Sequence, residues 1–354
     1  MKKALSIIFV VVVLLIAFYF YKNMSSDSTN ITTNSSQIDS WVQSNSSGNE
    51  NNETFWSWMQ MWGGGGWNVD KSNDLTLQNM ISETKDKFKV LSYTDKETWK
   101  TISYNLYIPE NYDPTKSYPI ITFIWDASTV WEDVTKPLTQ WYGWIIWATQ
   151  SEQSKHESFV LVPQFPEVII DDHWSFTTTD YIDIAKRLID NVAASYSIDK
   201  NKIYVTWQSM WCMTFIYLST KYPDLFAWEL FVSGQWDISA LDNLKSQKFT
   251  YIVSMWDSKA SVGQAEVKAM FDSAGIKYWS LNNLDAQAWD ETLSSSINKI
   301  YNEKYNNNFF DFKAWTTIAS WSTQSSEWAG EHMTSFDYAY KISALRDWLF
   351  TQSK

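Results

Sequence analysis

Thr206-Trp207-Gln208-Ser209-Met210-Trp211-Cys212-Met213 follows a short β-rich run, Lys202-Ile203-Tyr204-Val205, and precedes a helix-like run from Met213 to Lys221. A strand, a sharp turn carrying serine and then a helix is the setting of a nucleophile elbow, whose pattern reads Gly-x-Ser-x-Gly. Here both glycine slots hold tryptophan, at 207 and 211. Those glycines serve a steric purpose. The serine backbone is strained, and the residues two before and two after it lie where strand and helix backbones nearly touch. An indole at either place pushes the two elements apart.

Composition offers a resolution. The chain holds 23 Trp and only 10 Gly in 354 residues, whereas ordinary usage gives about 7% Gly, or roughly 25. The tryptophans also stand where turn chemistry asks for glycine. Trp62 and Trp67 flank Gly63-Gly64-Gly65-Gly66, Trp99 sits in the hairpin-turn context Glu97-Thr98-Trp99-Lys100, and Trp256 follows a strand-like run and precedes Asp257. This pattern is what results when UGA codons that an organism reads as glycine are translated as tryptophan. Most of these tryptophans are then expected to be glycines in the cell. The competing reading is a Trp-rich protein that stacks sugars on exposed rings, which places Trp on surface loops and not inside an elbow.

A net charge of −12 and a sequence pI near 4.8 argue against nucleic acid or an anionic membrane surface as a partner. A single cysteine, Cys212, excludes an intrachain disulfide framework and a Cys-based zinc site. The three histidines, His156, His173 and His332, have no metal-ligand spacing, so neither metal nor cofactor is expected. A mechanism needing an imidazole has three candidates.

Lys2-Lys3 precede an apolar run of eighteen residues, 4–21, broken only by Ser6. That is enough to span a bilayer and long for a signal peptide, and no small-x-small cleavage site follows. Residues 1–22 therefore read as an uncleaved membrane anchor with its lysines inside and the rest of the chain outside the cytoplasm; a signal peptide and secretion are the alternative. Residues 23–87 read as a flexible tether, rich in Ser, Asn and Gly. Residues 88–354 suit one large α/β domain. Strands are expected at 88–93, 101–108, 118–124, 159–163, 202–205, 230–233, 250–255 and 309–313. Helices are expected at 180–196, 213–221, 264–274 (ending at Gly275) and 338–350. Strands alternating with helices imply a mostly parallel sheet with helices on both faces.

Asn105-Leu106-Tyr107-Ile108-Pro109-Glu110-Asn111-Tyr112-Asp113, with Tyr118-Pro119 then opening an apolar strand, resembles the start of secreted α/β-hydrolases. These form the esterase and predicted-peptidase group related to polyhydroxybutyrate depolymerases and feruloyl esterases, with prolyl-oligopeptidase-like catalytic domains as relatives. Val162-Pro163-Gln164, Ser209 in its elbow, Lys221-Tyr222-Pro223-Asp224-Leu225-Phe226-Ala227 and Asp347-Trp348-Leu349 also match, so the resemblance covers about residues 88–352. It implies an α/β-hydrolase fold and a serine hydrolase.

Ser209 is the candidate nucleophile, and a serine hydroxyl needs a neighbouring base. Without its flanks it reads equally as a helix N-cap. The resemblance places the base at His332 in Gly330-Glu331-His332-Met333, ahead of the closing helix; His173 is the weaker candidate, and His156 reads as solvated. The acid of the family follows the next-to-last strand in a His-Gly-x-x-Asp pattern. That slot falls here on Lys259 of Met255-Trp256-Asp257-Ser258-Lys259. Asp257, two residues early, keeps the chain order Ser209, Asp257, His332. It also reads as a loop-capping aspartate, and Asp285 and Asp290 are the alternatives. The oxyanion hole is expected from backbone N–H groups, one of Met210 and one from Asp126 or Ala127 after the strand ending at Ile124. The family shows His-Gly-x-Gly there. In this chain Asp126 must point away, since an inward carboxylate repels a developing oxyanion.

The expected function is thus an exported, membrane-tethered hydrolase acting on a small or polymeric carboxylic ester. A peptidase is the enzymatic alternative, and a catalytically inactive surface-binding module on the same fold is the non-enzymatic one.

Overall fold

The computed structural model describes residues 71–124, 134–139, 141–172, 175–318 and 328–354. All lie in the second of two compact units, Trp62–Lys354. The apolar run at 4–21 and most of the expected tether lie outside the described residues. Among those described, no helix is long and apolar enough to cross a membrane.

The chain begins with helix α1 (Leu75–Thr84), then strands β1 (Phe88–Thr94), β2 (Thr101–Tyr107), β3 (Tyr118–Ile124) and β4 (Phe159–Gln164). A two-residue hairpin follows, β5 (Ile170–Asp171) and β6 (Thr177–Thr178), then helix α2 (Tyr181–Ser195). Strand β7 (Ile198–Gln208) leads into α3 (Met210–Lys221), then β8 (Trp228–Val232), β9 (Phe249–Ser254) and α4 (Ala260–Ala274). The closing part is β10 (Trp279–Leu284), α5 (Asp290–Tyr301), β11 (Asn307–Phe312), α6 (Trp328–Lys341) and α7 (Ser343–Phe350).

Nine strands form one sheet in the order β1-β2-β4-β3-β7-β8-β9-β11-β10. The pairs β1–β2 and β2–β4 are antiparallel, and the six pairs from β4–β3 to β11–β10 in that order are parallel. Central strands such as Tyr-Pro-Ile-Ile-Thr-Phe-Ile of β3 are almost wholly apolar, because helices cover both faces. Helix α2 shows why: Ile182, Ala185, Leu188, Ile189 and Val192 recur on one face and all are buried. Each large one of these contributes roughly 1.5–3 kcal/mol by leaving water. The chain leaves β3 towards β4 on one side and β7 towards β8 on the other. The crevice beyond the carboxyl ends of β3 and β7 is therefore the place where such a sheet can hold a ligand.

Helix α4 stops at Gly275, as the sequence predicts. Its φ of 68° is left-handed, and Ile276 N–H reaches back to the Phe271 carbonyl at 3.0 Å. Elsewhere the structure differs from expectation. Residues 75–84, placed in the tether by composition, form α1: Asp74 caps it by accepting from Leu77 N–H at 3.0 Å, and Leu77 and Ile81 enter the core. Two buried apolar side chains are too few for a periodic signal. Tyr142 Oη donates to Asp74 at 2.8 Å, and Lys71 is ion-paired with Asp337 of α6, which anchors this segment. The expected single closing helix is two. Ile342 is extended (ψ 109°), and Ser343 N–H restarts the helix by donating to Asp290 at 2.8 Å. Strand β10 and helix α5 were not foreseen, because β10 is a half-exposed edge strand whose Asn283 is left-handed (φ 61°).

Glu229 lies in β8 at 1% exposure, with its carboxyl against Ser219 Oγ of α3, and that hydroxyl is also 2.6 Å from the Phe215 carbonyl. Burial pushes the Glu229 carboxyl up to about 8, against an ordinary 4.5. The folded protein therefore holds a proton that the unfolded chain releases above its ordinary value. The stability from this group is complete below pH ~4.5 and declines by about 1.4 kcal/mol per pH unit up to pH ~8. Glu229→Gln should remove that slope: denaturant titrations from pH 5 to 8 are expected to show a flatter stability profile than the parent, and identical slopes would refute the assignment.

Candidate active site

Ser209 follows β7 directly and precedes α3, with φ 59° and ψ −140°. That region is one that residues with a side chain occupy only when the surroundings enforce it. Two bonds do so: Ser209 N–H donates to the Val232 carbonyl at 3.1 Å, and Cys212 N–H donates to the Ser209 carbonyl at 2.9 Å. The turn lifts Oγ off the end of the sheet, at the crevice that the topology creates.

His332 comes from α6, its ring edge-on to Phe336 at 5.0 Å. Its Nε2 lies 2.7 Å from Ser209 Oγ, and its Nδ1 lies 2.5 Å from Asp257 Oδ2. A carboxylate only accepts, so Nδ1 carries the proton and the Nε2 lone pair faces the serine hydroxyl. Asp257 stands on the turn after β9, where its N–H donates to the Ser254 carbonyl at 3.1 Å. Its other oxygen accepts from Lys259 N–H at 3.3 Å and Ala260 N–H at 3.1 Å. Asp257 thus caps its loop with one oxygen and meets the imidazole with the other. Ser209, Asp257 and His332 are all buried to within 7%.

The remaining sequence candidates separate. Asp285 accepts from Gln287 N–H in a turn, and Asp290 accepts from Ser343 N–H and Ser294 Oγ, so both serve as structural caps. His156, read as solvated, instead stacks on Phe350 at 4.2 Å and meets Asp347 at 2.9 Å. His173, Asp126 and Ala127 lie outside the described residues. Met210 opens α3, whose first N–H groups have no acceptor within the helix. Among the described residues no group of three His, Cys, Asp or Glu side chains could hold a metal ion.

Two neighbours of this site escaped the sequence reading. Gly234, just beyond β8, packs flat against the elbow: a Cβ there would stand 2.7 Å from the Ser209 carbonyl oxygen and collide with Cys212. Its carbonyl also accepts from Tyr251 Oη. The signal was a Ser-Gly pair ending an apolar strand. Glu331, next to His332 and fully buried, accepts from Ser254 Oγ. Burial raises its carboxyl above the ordinary range, with the nearby Asp257 charge adding to the effect.

Trp207 is fully buried. Its ring centroid is only 2.9 Å from that of Phe215, where aromatic pairs prefer about 4.5–7 Å. Its indole N–H has no hydrogen-bond partner.

No family model matches the chain, and no curated protein matches it. Solved structures do. A thermostable esterase aligns at a TM-score of 0.54 and 21% identity, over 77% of this chain and 64% of its own. The fold is that of the α/β-hydrolases. The chain spans about 64% of the length of that esterase. More distant likenesses include a ferulic acid esterase from Anaeromyces mucronatus in complex with ferulic acid, at a TM-score of 0.44 and 12% identity over 74% of this chain and 91% of that one. S-formylglutathione hydrolase from Staphylococcus aureus aligns at 0.39 and 14%, over 75% and 97%. In this α/β-hydrolase fold Ser209 follows β7, Asp257 follows β9 and His332 comes after β11.

Gly234→Ala tests the close approach. The added methyl should push the Ser209 turn out of line, costing about 1–3 kcal/mol in thermal or denaturant unfolding. Labelling of Ser209 by a fluorophosphonate should fall at least tenfold; parent-like stability and labelling would show that the elbow has room.

Proposed function

We propose that this chain is a serine hydrolase that cleaves carboxylic esters by acyl transfer. The observation that carries this reading is the row Ser209 Oγ, His332, Asp257, joined at 2.7 and 2.5 Å on a strained turn at the crevice. In the first step the Ser209 oxygen attacks the ester carbonyl carbon while its proton passes to His332 Nε2. Asp257 holds the imidazole in the receptive tautomer and balances the imidazolium. The carbonyl oxygen, now negative, is stabilised by Met210 N–H at the helix start and by a second N–H, that of Asp126 or Ala127. His332 returns the proton to the departing alcohol. Water then attacks the acyl-enzyme, giving its proton to His332, and Ser209 is restored as the acid leaves. Ester is favoured over peptide because the thermostable esterase shares this fold. Residues 4–21 tether the hydrolase outside the cytoplasm, as the apolar run and its preceding lysines imply.

The reading includes glycine in place of tryptophan at 207 and 211 in the cell. What supports it at 207 is the indole crowded against Phe215 with its N–H unpartnered. Trp99 and Trp315 add weight, since both have left-handed backbones, at φ 61° and 71°, which glycine adopts without cost.

Three measurements test this. Ser209→Ala should lower p-nitrophenyl ester turnover by at least about 10⁴-fold and abolish fluorophosphonate labelling, and Asp257→Asn should cost about 10³–10⁴-fold. A parent chain that resists the probe would instead favour an inactive binding module. Trp207→Gly should raise Tm by about 2–8 °C, the reverse of an ordinary cavity mutation. Mass spectrometry of the native peptide 202–221 should read glycine at 207 and 211; tryptophan at both would refute the recoding.

A further inference from the structure

Helix α6 grips the turn after β9 at two points. His332 bonds Asp257, the last residue of that turn, through Nδ1 and Oδ2 at 2.5 Å. Glu331, one residue earlier on the helix, bonds Ser254, the first residue of the turn, through its hydroxyl. The turn itself is closed by Asp257 N–H on the Ser254 carbonyl at 3.1 Å, and Met255 N–H ties it to the Phe312 carbonyl of β11 at 3.0 Å. A single side-chain bond between helix and turn leaves both free to pivot about it. A second, offset by one residue on the helix and three on the turn, removes that freedom. Glu331 and Ser254 are both fully buried, so the bond is made away from competing water. Keeping a carboxyl in the interior is costly, and packing alone could have used an apolar side chain of the same size.

We infer that Glu331 is a positioning residue, whose bond to Ser254 holds the Asp257 turn and the His332 helix in register so that the Asp257–His332 hydrogen bond stays formed. This rests on the serine-hydrolase reading for its effect on rate, but not for its effect on that hydrogen bond. Glu331 touches neither Ser209 nor the reacting carbonyl. It acts through His332, so its loss should reduce kcat and leave KM nearly unchanged.

The test uses the full chain with Glu331→Ala, Glu331→Gln and Ser254→Ala. Two readouts are taken: ester kinetics, and the ¹H resonance of the His332 Nδ1 proton, which a carboxylate partner carries far downfield. Glu331→Ala should lower kcat by about 10–100-fold with KM within about twofold, and broaden or abolish the downfield proton. Glu331→Gln, whose amide can still bond Ser254 Oγ, should recover to within about fivefold of the parent and keep the proton. Ser254→Ala, a small change that the fold should tolerate, should resemble Glu331→Ala. The inference is overturned if Glu331→Ala, or Ser254→Ala should the first variant not fold, keeps the downfield proton and parental kcat. It is equally overturned if the glutamine variant is as damaged as the alanine one. A parent that no fluorophosphonate labels defeats the hydrolase reading alone, because the proton still reports the register.

Discussion

The structure turns on how closely two backbones approach at Ser209. A strand in the middle of a parallel sheet must reverse into a helix within one residue, and that residue takes a conformation that side chains ordinarily avoid. The surroundings hold it there: a carbonyl of β8 accepts its N–H, its own carbonyl accepts from the next turn, and Gly234 leaves the space that both need. Strain at this point projects the hydroxyl beyond the sheet, where the other two members of the row can reach it. Loosen the contact and the serine becomes an ordinary helix cap.

Around that turn, the sheet delivers partners from distant parts of the chain. Asp257 follows β9 and His332 comes after β11, yet the parallel register of β9 with β11, Ser254 opposite Phe312, brings the carboxyl ends of both strands to the same edge. Asp257 is oriented by backbone amides on one oxygen, so the other is left for His332. Buried carboxyls recur in this half of the molecule, in Glu229 beneath the elbow helix and Glu331 beside the imidazole. Each shares a hydrogen bond with a serine, and burial favours the neutral form of each. The interior here is held by a few directed bonds set within a large apolar core.

The meeting of Ser209, His332 and Asp257 was legible because the chemistry of such a row confines it to few residue types and the chain offers few candidates, three histidines above all. The strands at 118–124 and 159–164 and helix α2 were legible for a different reason, the density and period of their apolar residues. Helix α1 was hidden because Leu77 and Ile81 are its only fully buried apolar residues, and edge strand β10 because exposure had removed its hydrophobic run. Gly234 and Glu331 were invisible on other grounds. Their importance lies in which backbone or hydroxyl they meet, and those partners are tens of residues away in sequence.

By itself the sequence determined the class of fold, the chain order of the candidates Ser209, Asp257 and His332, and the conflict between tryptophan and a tight turn at 207. Those follow from periodicity, from side-chain chemistry and from steric volume, all of which are local. Only the tertiary structure shows which carboxylate meets His332: Asp257 lies 2.5 Å from it, while Asp285 and Asp290 cap turns and helices elsewhere, and that difference is one of distance across the sheet. It also shows that His156 is pinned against Phe350, and that a glycine and a glutamate far apart in the chain both stand against the row of Ser209, His332 and Asp257.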